Sequence, residues 1–275
     1  MKSEKRTKIK DCEDYTCIVN GVWAWILEAA NEAVKQEPSL EELLRDSCLN
    51  HDCLADGVTA RLSCLLSHKD VCCDDICTLI REALYDDTCI ITQIAHDLIA
   101  IVDRDAACRT PLEALLFFKG FHAITTHRVA HWLWKQNRHL AALHFQSLSS
   151  RIFGVDIHPA AQIGCGILLD HATSFVVGET AIIKDNVSIL HEVTLGGTGK
   201  EEEERHPIVE SGVLLGAGAK ILGRVTIGEC AKVGAGSVVL ADVSPHTTVA
   251  GVPAVIVSEA TEPTPALDMN QKLCY

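Results

Sequence analysis

Between Ile157 and Val239 an aliphatic residue returns at every sixth position: Ile157, Ile163 and Leu169, then Val177, Ile183, Ile189 and Leu195, then Val209, Leu215, Ile221, Ile227, Val233 and Val239. A strand alternates with period two and a helix repeats near 3.6, so neither accounts for the pattern. Glycine follows the aliphatic residue at Gly164, Gly178, Gly196, Gly216, Gly228 and Gly234, where a chain turning every six residues favours a residue tolerant of unusual φ. The period predicts a parallel β-helix, whose coils each bury too little alone and stack into a continuous apolar column. One insertion interrupts the coils. Leu195 and Val209 stand fourteen apart, two more than two hexads, and a loop must leave the coils there. Its run Glu201 to Glu204 reads as a solvated tip, because adjacent carboxylates repel one another outward.

Upstream the period changes. Trp23, Ile26, Leu27, Ala30 and Val34 recur at intervals of three and four, and Pro38-Ser39 before Glu41 and Glu42 marks a helix start. Leu40, Leu43, Leu44 and Ser47 follow, then Ile76, Leu79, Ile80, Ala83 and Leu84, then Ile91, Ile94, Ala95 and Leu98. From Pro111 to Phe153 the aromatics Phe117, Phe118, Phe121, Trp132 and Trp134 are placed to pack on the first coil. The expected fold is α+β: an α-helical domain over residues 1–150, a left-handed parallel β-helix with an extruded loop over 151–257, and a flexible polar tail over 258–275.

A length of 275 residues fits two domains, and 48% hydrophobic residues suffice for real cores. The formal net charge of -13 repels nucleic acid and anionic membrane surfaces. The basic amino terminus has no apolar core of signal-peptide length, and no run is long enough to span a membrane, so a cytoplasmic protein is expected. Thirteen cysteines in such a chain are expected to be reduced. The groups Cys48/Cys53 and Cys72/Cys73/Cys77 lack the paired spacing of zinc ligands and read as small buried apolar residues, so no metal is expected.

Two polar clusters interrupt the coils, Asp156-Ile157-His158-Pro159 and Asp170-His171-Ala172-Thr173. Asp156 and His171 are fifteen positions apart, near the eighteen of a full coil, which would stack them on one edge as a carboxylate and imidazole pair. Such a pair suits general-base work on a hydroxyl. Cys165, in a coil turn with no base beside it, does not suit a covalent carrier.

The text VDIHPAAQIGCGILLDHATSFVVGETAII, VSILHEVTLGGTGK, RHP, LLGAGAKILG, AKVGAGSVVL and PHTTVAGVPA closely resembles the serine O-acetyltransferases. DRDAAC and FFKGFHAITTHRVAHWLW extend the resemblance over most of the chain. It implies acetyl transfer from acetyl-CoA to the hydroxyl of L-serine in cysteine biosynthesis, with His171 as base and Asp156 as its support. It assigns serine binding to Asp105, Asp170, Arg205 and His206, although the family usually has proline where this chain has Ala106. Gly197, Thr198, Ala217, Lys232 and Ala235 would line acetyl-CoA in a groove between neighbouring β-helices of a trimer, or of a dimer of trimers. L-Cysteine would bind as a feedback inhibitor. Many members end in isoleucine, which enters O-acetylserine sulfhydrylase; this chain ends in Tyr275, and weak or absent complex formation is expected. The competing readings are an acetyltransferase for homoserine or a sugar, a γ-type carbonic anhydrase using His158, His171, His191, His206 or His246, and a non-catalytic scaffold. The last two leave Arg205, the GGTGK loop and the Asp156/His171 pair unexplained.

Overall fold

A computed structural model describes residues 15–67, 72–199, 202–259 and 263–273. The chain divides into two compact units, Met1–His122 and Ala123–Tyr275, so the division falls inside a helix and ahead of residue 150.

The first unit is helical. In α1 (Tyr15–Gln36) Ile18, Val22, Trp23, Ile26 and Ala30 are buried along one stripe. The Pro38 start gives a short 3-10 turn (Pro38–Leu40), then α2 (Glu41–Leu44) and a π turn (Arg45–Leu49), which together bury Leu44, Ser47 and Cys48. In α3 (Leu54–Leu66) the Trp23 ring lies on Gly57, where a Cβ would stand 2.5 Å from it. α4 (Cys73–Asp86) buries Ile76, Ile80, Ala83 and Leu84. α5 (Thr88–Arg104) starts at Asp87, whose carboxylate accepts from the Cys89 amide, and α6 (Pro111–Phe117) follows. Arg61 of α3 donates to the Leu116 carbonyl.

The cysteines divide. Cys48 and Cys108 are buried as expected of apolar residues, and burial pushes the Cys48 thiol up to about 12. Cys64, Cys72, Cys73 and Cys89 are exposed instead, because they fall off the apolar stripes of their helices. Cys17 is disulfide-bonded, contrary to the expectation of reduced thiols throughout. Among the described residues no group of His, Cys, Asp or Glu is placed to hold a metal ion, and no helix is long and apolar enough to cross a membrane.

α7 (Lys119–Lys135) crosses the boundary between the units, and α8 (His139–Phe153) ends at Gly154, whose φ of 69° terminates the helix and feeds the first coil. The coils form three sheets. The five-stranded sheet is ordered β1 (Val155–Ile157), β4 (Phe175–Val177), β7 (Thr194–Gly196), β10 (Lys220–Leu222), β13 (Val238–Val239). The four-stranded sheet is β11 (Thr226–Ile227), β8 (Ile208–Val209), β5 (Ile182–Ile183), β2 (Gln162–Ile163). The six-stranded sheet is β15 (Ala254–Glu259), β14 (Thr247–Gly251), β12 (Lys232–Val233), β9 (Leu214–Leu215), β6 (Ser188–Ile189), β3 (Leu168–Leu169). All pairs are parallel except the terminal hairpin β14–β15.

The hexad residues form three inner columns in register. Ile157, Val177, Leu195, Ile221 and Val239 make one, Ile163, Ile183, Val209 and Ile227 the second, and Leu169, Ile189, Leu215 and Val233 the third. All are buried except Ile163, which is half-buried. Each fully buried aliphatic contributes about 1.5–3 kcal/mol. No hexad is lost at the loop. Leu195 to Val209 is a single corner step, so the loop carries eight residues beyond the six that a corner needs.

The first coil is fastened by side chains on α7 and α8. Arg128 donates to the carbonyls of Ile163 and Gly164, His131 bonds the Pro159 carbonyl, and Trp134 meets the His158 ring edge-to-face at 5.1 Å. Of the other aromatics assigned to that role, Phe117 is exposed. Described tail residues lie against the six-stranded sheet: Ala266, in the short turn α9 (Pro265–Asp268), is fully buried, and Ser188 donates to its carbonyl at 2.7 Å.

Candidate active site

Two corners of the prism, one at each edge of the five-stranded sheet, collect the polar residues. The first follows β1, β4, β7 and β10 and holds His158, Gly178-Glu179-Thr180, Gly197, Arg205-His206 and Arg224. Arg205 ion-pairs with Glu179 at 2.7 Å, and this pair holds the Glu179 carboxyl below its ordinary range. Thr180 organises the rest. Its hydroxyl oxygen accepts from the amides of Arg205 (3.0 Å) and His206 (3.1 Å), and its own amide donates to His206 Nδ1 at 3.2 Å. A ring nitrogen that accepts carries no proton, so Nε2 is the donor of His206. Burial, then the Arg205 charge, lowers the His206 pKa, and the ring is neutral near pH 7. The ring rests on Gly178, where a Cβ would come within 2.0 Å of Cδ2 and Nε2. Arg224 donates to the carbonyls of Thr180 and His206, both at 3.0 Å, and to Glu204 at 2.6 Å. Glu204 is therefore not merely part of a solvated tip, although its side chain remains exposed. Glu201 lies outside the described residues.

The second corner precedes β4, β7 and β10. Here the coil lengthens: Val155 to Phe175 is a twenty-residue advance, whereas Val176 to Thr194 is eighteen. The two extra residues fall in Asp170-His171-Ala172-Thr173-Ser174, between β3 and β4. His171, Ala172 and Ser174 all take positive φ, at 56°, 60° and 62°, and Glu192 one coil on has φ 60°. Such conformations cost about 1–3 kcal/mol each and persist where the surroundings impose them. The Ser174 amide bonds the Gly154 carbonyl, the Glu192 amide bonds the Thr173 carbonyl, and Lys220 donates to the Glu192 carbonyl. The result is an outward His171 ring. Nδ1 stands 3.6 Å from Asp170 Oδ1, and His191 meets the ring edge-to-face at 5.9 Å. The buried Nδ1 of His191 has no hydrogen-bond partner among the described residues.

Asp156 lies mid-strand in β1, in register with Val176, and accepts from Gln146 at 2.7 Å. The coil expansion lies at the His171 turn, so the imidazole stands at a corner and Asp156 on the strand one coil earlier. Asp105 is in the first unit, where it ends α5 and accepts from the Ala107 amide. Of the residues assigned to acetyl-CoA, Gly197 and Thr198 lie at the first corner, and Ala217 and Ala235 at the second on successive coils, the Gly236 amide bonding the Ala217 carbonyl. Lys232, in β12, is buried, and its ammonium donates to the carbonyls of Asn270 (3.1 Å) and Lys272 (2.9 Å). Glu179, Thr180 and Arg224 were not singled out from sequence, and His191 only as a candidate zinc ligand. The coil register finds one of them: Ile182 pairs with Ile208, and the same advance carries Thr180 onto His206.

Residues 22–126 match the model described as serine acetyltransferase, N-terminal, and residues 206–241 match the bacterial transferase hexapeptide model of six repeats. A serine acetyltransferase of Haemophilus influenzae is 47% identical over 250 residues, 91% of this chain and 94% of its own length. The crystal structure of serine acetyltransferase from Brucella abortus in complex with coenzyme A is 49% identical with a TM-score of 0.85, covering 86% of this chain and 95% of that one. A serine acetyltransferase complex with cysteine gives 46% and 0.90 over 92% and 98%, and the soybean enzyme complexed with serine gives 47% and 0.85 over 90% and 100%.

Proposed function

We infer that this chain, which belongs to the serine acetyltransferase family, transfers the acetyl group of acetyl-CoA to the hydroxyl of L-serine, giving O-acetylserine for cysteine biosynthesis. The observation that carries the reading is the division of labour between the corners. The first offers a guanidinium and a neutral imidazole donor on a fixed backbone, a fit for the serine carboxylate. The second offers an exposed imidazole on a turn that its neighbours hold in place. Asp105 and Asp170 are assigned to the ammonium by the family match. Asp156 is assigned to brace the imidazolium.

His171 takes the proton of the serine hydroxyl as the oxygen attacks the thioester carbonyl. The tetrahedral oxyanion then collapses, the carbon–sulfur bond breaks, and the departing CoA thiolate takes the proton from His171. No acyl-enzyme forms. Within one chain the two half-sites occupy different corners, so a complete site forms where the second corner of one copy meets the first corner of another; we assign a trimer, or a dimer of trimers, on that ground. Gly197, Thr198, Ala217, Ala235 and Lys232 are assigned to the acetyl-CoA groove, Lys232 being reached once the tail leaves it. L-Cysteine, with the same charged groups as serine, is assigned as an inhibitor of the serine site, and the cytoplasm as the compartment.

The test is CoA release from acetyl-CoA with serine, homoserine and galactosides as rival acceptors. Serine is expected to be preferred, and His171→Ala to lower turnover by ~10²- to 10⁴-fold, the usual worth of a general base. Full activity of that variant, or preference for another acceptor, sinks the reading.

A further inference from the structure

Arg224 bonds three points of the chain at once. One nitrogen of its guanidinium donates to the Thr180 carbonyl in the turn after β4 and to the His206 carbonyl at the end of the extruded loop; the other donates to Glu204 on the returning leg of that loop. Gly223 before it, at φ 93°, brings the chain close to the outgoing leg: its amide bonds the Gly196 carbonyl, and a Cβ there would stand 3.2 Å from the Thr198 methyl. Residues 223–224 therefore touch both legs of the loop. A planar guanidinium can serve three acceptors in one arrangement, which a single ammonium cannot hold as well.

We propose that Arg224 is a positioning residue for serine capture: it latches the returning leg of the loop to the first corner and so fixes where Arg205 and His206 stand, with Glu204 as the exposed, salt-sensitive half of the latch. The proposal rests on the assignment of Arg205 and His206 to the serine carboxylate. Arg224 acts through those residues, its terminal guanidinium nitrogens being taken up by the Thr180 and His206 carbonyls and by Glu204. Its removal releases two backbone carbonyls and a carboxylate, leaving the bonds to Thr180 and the Glu179 ion pair to hold Arg205 and His206. Because the Glu204 side chain is 74% exposed, its share of the latch is screened by salt.

The full-length enzyme is compared with Arg224→Met, Arg224→Lys and Glu204→Gln by steady-state kinetics at saturating acetyl-CoA and by hydrogen exchange of the segment containing Arg205 and His206. Arg224→Met is expected to raise the serine KM by about tenfold or more, as loss of charge-assisted hydrogen bonds implies, with kcat little changed and exchange faster. Arg224→Lys should recover part of the loss. Glu204→Gln should raise KM about two- to threefold at low salt, the difference vanishing at high salt. Unchanged exchange in a folded Arg224→Met overturns the proposal whatever KM does. If Arg224→Met does not fold, Glu204→Gln decides, and a serine KM equal to wild type at low salt overturns it. Should the wild type show no serine-dependent CoA release, the functional reading falls, while the exchange experiment still decides the latch.

Discussion

Gly178→Ala adds one carbon directly beneath the His206 ring. Its Cβ would stand 2.0 Å from both Cδ2 and Nε2, whereas ordinary contact begins near 3.4 Å. The ring or the backbone must therefore yield by more than an ångström. The ring has little freedom, since its Nδ1 is held by the Thr180 amide, its own amide by the Thr180 hydroxyl and its carbonyl by Arg224. Two limits follow. If the ring moves, the Nε2 donor is displaced by about 1 Å, which costs on the order of 10²-fold where geometry governs catalysis. If it does not move, overpacking costs roughly 1–3 kcal/mol of stability. The assay is kcat and KM for serine alongside a thermal melt of the same preparation. A combined deficit is expected, with KM carrying most of the kinetic loss. A variant with wild-type KM and wild-type melting would refute both the close approach of His206 to Gly178 and the rigidity ascribed to the Thr180 bonds.

Thr180→Val keeps the shape of the side chain but removes the acceptor shared by the Arg205 and His206 amides; the serine KM should rise roughly ten- to a hundredfold, the cost of leaving buried donors unpaired, with a much smaller change in the KM for acetyl-CoA, read by initial rates with each substrate varied. Acid should destabilise the first unit through His122, whose pKa burial pushes down to about 4 from an ordinary 6.5. The folded state then binds fewer protons than the unfolded state, so stability falls as pH drops from about 6.5 towards 4, by about 3 kcal/mol for this group. Urea denaturation of wild type and His122→Gln across that range should give a shallower pH slope for the variant; equal slopes would count against the assignment.

The solenoid was legible because one inward aliphatic residue per short strand writes its period straight into the sequence. Val209 to Val239 and Val177 to Leu195 align in the structure as they do in the frame. The two departures from the frame were the more informative positions. The eight-residue step from Leu169 to Val177 is the turn that presents His171, and the fourteen-residue step from Leu195 to Val209 ends on Arg205 and His206. Less legible were residues that act across coils. Glu179 with Arg205, Thr180 with His206 and Arg224 with Glu204 lie twenty to twenty-six positions apart, and only the advance of each coil brings them together. Asp156 stands on a strand and His171 on the turn where the coil lengthens, a difference that a count of fifteen does not register. The helical unit was read from its apolar stripes, whereas the cysteines were read as buried by residue type although Cys64, Cys73 and Cys89 lie off those stripes.

Beside Gly234 the Leu273 side chain comes as close as 3.3 Å to where a Cβ would be, and Lys232 lies under the carbonyls of Asn270 and Lys272. Residues 270–273 are thus already bound, to the prism of their own chain. Any protein that reads the carboxy terminus competes with an intramolecular rival, and its apparent dissociation constant is multiplied by the reciprocal of the undocked fraction. Each 1.4 kcal/mol that holds the segment down weakens such a partner about tenfold. The strength of that self-association sets how readily residues 270–273 can be engaged by anything else.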